Sequence, residues 1–162
     1  MQSGDKMKLT QQADCALRIT YILAKNECYA NEAEQGKTAE RPKIMDAKTV
    51  SEGIAIPISF TLKTLRALML SGLVDSYKGT NGGYTLSKIP AEITLLDVIE
   101  AIDGTLKINR CLESDYECSR NGHNKSICRI HRILGAANKH LGEKLSSVTF
   151  EDVCNDTMEI EI

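Results

Sequence analysis

No stretch of these 162 residues approaches the ~18 consecutive apolar residues that a membrane span requires. Near the first residue there is no apolar core of the kind a secretory signal carries. Signatures of catalysis are missing as well. No Ser/His/Asp or Cys/His arrangement stands in a recognisable catalytic context, and the glycine-rich stretch at residues 79–83 lacks the lysine of a phosphate loop. The absences together predict a cytoplasmic protein, not bound to a membrane and not an enzyme. An excess of positive charge is also lacking, since the net charge is -2. That figure hides an asymmetry. Residues 1–90 carry 12 Lys+Arg against 9 Asp+Glu, whereas residues 91–162 carry 8 against 13. Contact with a polyanion such as DNA is therefore open to the first half only.

What is present is a chain with 42% hydrophobic residues and six cysteines, long enough for one domain and an appended element. In a reducing compartment such cysteines argue for metal binding or redox sensing and against a disulfide scaffold. Three of them stand in one polar stretch that a histidine closes, C-LESDYE-C-SRNGHNKSI-C-RI-H, which makes Cys111, Cys118, Cys128 and His131 a set of soft ligands. Thiolates select zinc, copper(I) or iron–sulfur clusters. The gaps are wider than the tight pair of cysteines that grips structural zinc, and a larger object such as a cluster suits them better. The neighbours Glu113, Asp115, Glu117, Arg120 and Asn121 offer no apolar core in which free cysteines would simply be buried. A metal-free thiol redox site is the competing reading.

Taken in order, residues 1–6 show no pattern and read as an extension. From Leu9 the apolar positions Ala13, Ala16, Leu17, Tyr21 and Ala24 recur at threes and fours, which predicts a helix with Thr10 as its N-cap. Residues 26–48 are polar, mixed in charge and broken by Gly36 and Pro42, and read as a long loop. Thr49 and Glu52 have capping-box spacing and predict the start of a short helix. Ser59 is a candidate cap for the next, whose apolar positions run from Phe60 to Met69. Two strand-like segments, residues 73–78 and 84–87, follow around the glycines. Helix, turn, helix and hairpin make a winged helix, with Lys78 and Asn81 at the tip of the wing. Thr94 and Gly104 bracket another helix, buried through Leu95, Val98, Ile99 and Ile102. After the cysteines, Ile127, Ile130, Leu134, Ala137, Leu141 and Leu145 form a narrow apolar seam suited to a second copy of the chain. The fold class read from this pattern is mainly α with a small β-hairpin wing, plus a long dimerisation helix. Its expected parts are a DNA-binding domain at 1–104, a cysteine-rich loop at 105–125, the dimerisation helix at 126–146 and an acidic tail at 147–162.

Three strings, MKLTQQADCALR at 7–18, IPISFTLKTLRALMLSGLVDSYKGTNGGYTL at 56–86 and ITLLDVIEAIDG at 93–104, resemble the winged-helix transcription regulators of the IscR/NsrR type, the Rrf-two family. That resemblance implies a homodimer on a double-stranded DNA operator. It also implies an iron–sulfur cluster, two-iron or four-iron, whose state sets operator affinity in answer to redox, nitric oxide or iron–sulfur status. The ligands it implies are Cys111, Cys118 and Cys128, with His131 as the fourth or, alternatively, Asp14 from the other copy. By the same resemblance DNA contacts fall on Ser59, Lys63 and Arg66 in the recognition helix and on Lys78, Asn81 and Gly82 in the wing. A metal-free regulator of the same fold, responsive to thiol oxidation or to a metabolite, is the alternative. The gap of nine residues between Cys118 and Cys128 is longer than the family pattern, and Leu62 stands where some relatives carry a polar base-reading residue.

Overall fold

Helix α1, Gln11–Ala33, is the spine of the computed structural model, which describes residues 9–33, 44–118 and 127–156. Its Ala13, Cys15, Ala16, Ile19, Thr20, Leu23 and Ala24 are all buried, so the helix is covered on more than one side. Thr10 caps it as expected, its hydroxyl accepting from the Ala13 amide at 3.1 Å, and is itself held by Asp103 at 2.6 Å. The helix continues through residues 26–33, where the sequence reads as loop. That stretch has no apolar repeat, yet it also has no breaker before Gly36, and its alanines and glutamates are good helix formers. Residues 1–8, 34–43, 119–126 and 157–162 lie outside the described residues, and with them the expected extension, the middle of the polar loop, most of the second cysteine gap and the end of the acidic tail; the loop's last residues, 44–48, instead form a bridge to the wing and the start of the next helix.

Helix α2, Ala47–Ile54, begins one turn earlier than the Thr49–Glu52 spacing predicts. Asp46 is its N-cap and accepts from the Lys48 and Thr49 amides at 3.0 and 3.1 Å. Thr49 turns back to donate to Asp46, and Glu52 faces Lys48 at 3.9 Å instead of closing a capping box. Helix α3, Ile58–Leu70, follows Pro57 with no side-chain cap, which puts Ser59 inside its first turn. The two helices meet at 110°, the crossing of a helix-turn-helix.

Strands β1, Val74–Tyr77, and β2, Gly83–Leu86, form the antiparallel wing, paired from Val74 with Leu86 to Tyr77 with Gly83. Strand β1 is shorter by one residue at each end than the sequence suggests, and β2 has the expected length but lies one residue earlier. Met45 adds an isolated bridge to β2, exchanging two backbone bonds of 2.9 Å with Tyr84. A side chain on Gly83 would put its Cβ 2.5 Å from the Met45 carbonyl, so only glycine admits this approach.

Helix α4, Leu95–Asp103, starts with a Thr94/Asp97 capping box and stops at Gly104, whose φ is 77°. Val98 and Ile99 are buried beneath it. A 3-10 turn, Arg110–Leu112, leads towards helix α5, Arg129–Ser146, and the last element among the described residues is helix α6, Phe150–Asn155. The expected acidic tail is thus structural up to Asp156. Thr149 and Asp152 repeat the capping box of α4, and the starts of the two helices pair with each other: Leu95 donates to Val148 at 3.0 Å and Phe150 to Ile93 at 2.9 Å. Phe150, 1% exposed, plugs the core against α1. Among the described residues no single helix is long and apolar enough to cross a membrane.

Candidate DNA-binding face and cysteine loop

One side of α3 is consumed by the core. Thr61, Thr64, Leu65 and Leu68 are buried, and the two threonine hydroxyls are satisfied by carbonyls four residues back, Pro57 at 3.2 Å and Phe60 at 3.0 Å. The opposite side carries Ser59, Lys63 and Arg66, four and three residues apart and all exposed, so they line one ridge of the helix. Leu62 lies exposed among them. Neither Lys63 nor Arg66 makes an ion pair among the described residues. Lys78 and Asn81 are exposed at the wing tip. Gly82 plays a different part there: its amide donates to the Gly79 carbonyl at 3.0 Å, and an added Cβ would lie 3.0 Å from the Lys78 carbonyl carbon. Glycine at 82 therefore shapes the tip, with its own amide already used.

The cysteine loop is anchored at both ends. Asn109 caps the 3-10 turn that carries Cys111 and accepts from its amide at 3.0 Å. At the far end Cys128 is the N-cap of α5, its sulfur accepting from the His131 amide at 3.5 Å. The His131 ring is tucked in, with Nδ1 buried and without a hydrogen-bond partner, a costly state for a polar atom unless something else binds it. Cys111, Cys118 and Cys128 are all half-buried. In kind, three thiols and an imidazole with an unused nitrogen fit an iron–sulfur cluster. The structure brings Cys128 and His131 together, but no group of three His, Cys, Asp or Glu side chains among the described residues is gathered to hold a metal ion. Asp14, on the exposed side of α1, pairs with Arg18 at 3.0 Å. Cys15 beside it faces inward beneath Thr64, and burial pushes its thiol up from the usual range.

Two functional-looking contacts have no signal in the sequence. Asn138, midway along α5, grips the start of the loop, accepting from the Ile108 amide at 2.9 Å and donating to the Leu106 carbonyl at 3.0 Å. Glu27, on α1, accepts from the Thr85 hydroxyl of the wing at 2.9 Å. Burial raises the Glu27 carboxyl above its ordinary value, against the lowering pull of bonds from Thr85 and Leu86. Both side chains reach across long sequence separations, which periodicity does not report.

The comparisons with known proteins agree with this architecture. The family model Rrf2, described as an iron-dependent transcriptional regulator, matches residues 9–156. The chain is 28% identical over 113 residues to the HTH-type transcriptional regulator IscR of Photorhabdus laumondii, covering 70% of this chain and 66% of that one. Among solved structures, IscR of T. potens overlays with a TM-score of 0.65 at 19% identity, covering 96% and 91% of the two chains. CymR, described as the global cysteine regulator of B. subtilis, gives 0.63 at 25% identity, covering 93% and 98%. With its helix-turn-helix, its wing and a match over nearly the whole length, the chain belongs to the Rrf2 family of DNA-binding transcriptional regulators, not to a family of enzymes.

Proposed function

We propose that the chain acts as a homodimer on a two-part DNA operator and that its affinity is set by an iron–sulfur cluster held in the cysteine loop. Cys111, Cys118, Cys128 and His131 would hold the cluster, with Asp14 from a second copy as the alternative fourth ligand. The observation that carries the cluster reading is the buried, partnerless Nδ1 of His131, one helical turn from the Cys128 thiol. When bound, such a group supplies chemistry that oxygen, nitric oxide or iron scarcity can alter.

The chain's own residues supply the rest. Ser59, Lys63 and Arg66 enter the major groove, and Lys78 and Asn81 reach the backbone beside it, at a tip that Gly82 shapes. Ile127 just before α5 and Ile130 and Ile133 on it are 68–69% exposed, and Leu141 further along the helix is exposed as well, an apolar strip that a second copy would cover. Because half-sites lie roughly 34 Å apart, the angle between two α5 helices decides whether both recognition helices fit. Asn138 and Cys128 tie the loop to that same helix, so a change in the loop reaches the dimer seam directly. Cytoplasmic location follows for a regulator of DNA.

Anaerobic purification tests the cluster. Brown protein with iron and acid-labile sulfide in matching amounts per dimer is expected. Protein that stays colourless and iron-free after reconstitution would leave the second reading, a metal-free regulator responding to thiol oxidation or a metabolite. That reading draws on the likeness to CymR and on the absence of a gathered ligand set among the described residues.

A further inference from the structure

Two cysteines take no part in the loop. Cys28 lies on α1 one turn beyond the buried Ala24, and Cys154 lies on α6 one turn beyond the buried Phe150. Residues four apart share a helix face, so the stripe Ala24–Cys28 meets the stripe Phe150–Cys154 where α6 packs on α1. There Cys28 lies close enough to Cys154 to act on its thiol, and both side chains are half-buried. Next to Cys28, Glu27 holds Thr85 of the wing. A single turn of α1 thus grips the last helix with one side chain and the DNA-binding hairpin with its neighbour.

We propose that Cys28 and Cys154 are a second, redox-responsive thiol site, separate from the cysteine loop, whose oxidation to an intramolecular disulfide fastens α6 to α1 and shifts the wing through Glu27. Hydrogen peroxide is the class of oxidant. The Cys28 thiolate attacks one peroxide oxygen, the O–O bond breaks, and the other oxygen takes up a proton and leaves as water. The Cys154 sulfur then attacks the resulting sulfenic sulfur, the S–O bond breaks, and the departing hydroxide leaves as water with the Cys154 proton. Two thiols lose two electrons and one peroxide gains them. The order of events follows from the surroundings: burial first, then the charge of Cys28, push the Cys154 thiol up to about 12. Cys154 therefore keeps its proton, and Cys28 is the sulfur that attacks. In a reducing compartment such a bond is transient and regulatory.

The test uses the full chain, reduced, both as wild type and with Cys111, Cys118 and Cys128 changed together to serine. Each is titrated with hydrogen peroxide, trapped with an alkylating agent, digested and mapped by mass spectrometry. A linked pair of peptides joining Cys28 to Cys154 is expected in both proteins, reversed by dithiothreitol and lost in Cys28→Ser and in Cys154→Ser. Full alkylation of both residues at peroxide levels that oxidise a free thiol would overturn the proposal, as would linkage of Cys28 to a loop cysteine. A second arm, which alone rests on the DNA-binding reading, measures affinity for a duplex selected by the protein, using the loop-serine chain. Peroxide should change that affinity about fivefold or more, reversibly. A disulfide that forms without changing it would refute the link to the wing while leaving the thiol site.

Discussion

Phe150→Ala tests whether residues 147–156 belong to the domain or trail from it. Phe150 is 1% exposed and heads the fully buried side chains by volume, packed among residues of α1, α4 and the segment before α4. Removing a buried phenylalanine ring costs about 3–5 kcal/mol, the lost transfer energy plus the cavity left behind. Here the loss is expected near the upper end, because α6 has only six residues and a helix that short has no stability without its packing. Urea unfolding followed by circular dichroism reads the effect. With a slope of roughly 2 kcal/mol per molar, the midpoint should fall by roughly 1.5–2.5 M. Leu70→Ala serves as the control: at 82% exposure it should stay within about 0.5 kcal/mol of wild type. A Phe150→Ala chain within about 1 kcal/mol of wild type would refute the packing of α6 as a structural element.

Three further outcomes are expected. Lys63→Ala should weaken binding to a selected duplex and flatten the dependence of log affinity on log salt by ~0.9 for each phosphate no longer neutralised, or ~1.8 for a dimer; an unchanged slope removes Lys63 from the interface. Gly83→Ala, whose Cβ would crowd the Met45 carbonyl and the Ile44 side chain, should spoil DNA binding while helical circular dichroism stays near that of wild type. Glu27→Gln should raise stability at neutral pH. A carboxyl with a raised value in the folded chain binds its proton more tightly there, so wild-type stability falls as the pH rises from the unfolded value through the raised one, and the glutamine chain should lack that slope in urea melts taken across the interval.

Much of the fold is legible in the sequence because periodicity and caps act locally. Thr94, Gly104 and the apolar positions of α3, α4 and α5 announce themselves, as do the glycines of the wing. Where the reading goes astray, a weak local signal is outvoted by packing or by a neighbour. Thr49 has the spacing of a cap, but Asp46 offers a carboxylate one turn earlier and takes the amides first. Residues 26–33 carry no apolar stripe to announce a helix, and α1 continues through them on helix propensity with no breaker in the way. Phe150 is one aromatic among acidic residues and reads as tail, although Thr149 and Asp152 carry the spacing of a cap. The site divides in the same way. The three loop cysteines stand out by proximity in sequence, whereas Cys28 with Cys154, Glu27 with Thr85 and Asn138 with the loop start are products of the tertiary fold alone.

The central claim is that the cysteine loop controls DNA affinity through what it binds. Fluorescence anisotropy with one selected duplex, comparing anaerobically reconstituted protein with the same protein after iron chelation, tests it most directly. Affinities that differ about fivefold or more between the two states, with the difference abolished in Cys118→Ser while that chain remains a folded dimer, are the predicted result. Equal affinities in wild type, at an iron content that separates the two preparations cleanly, would contradict it.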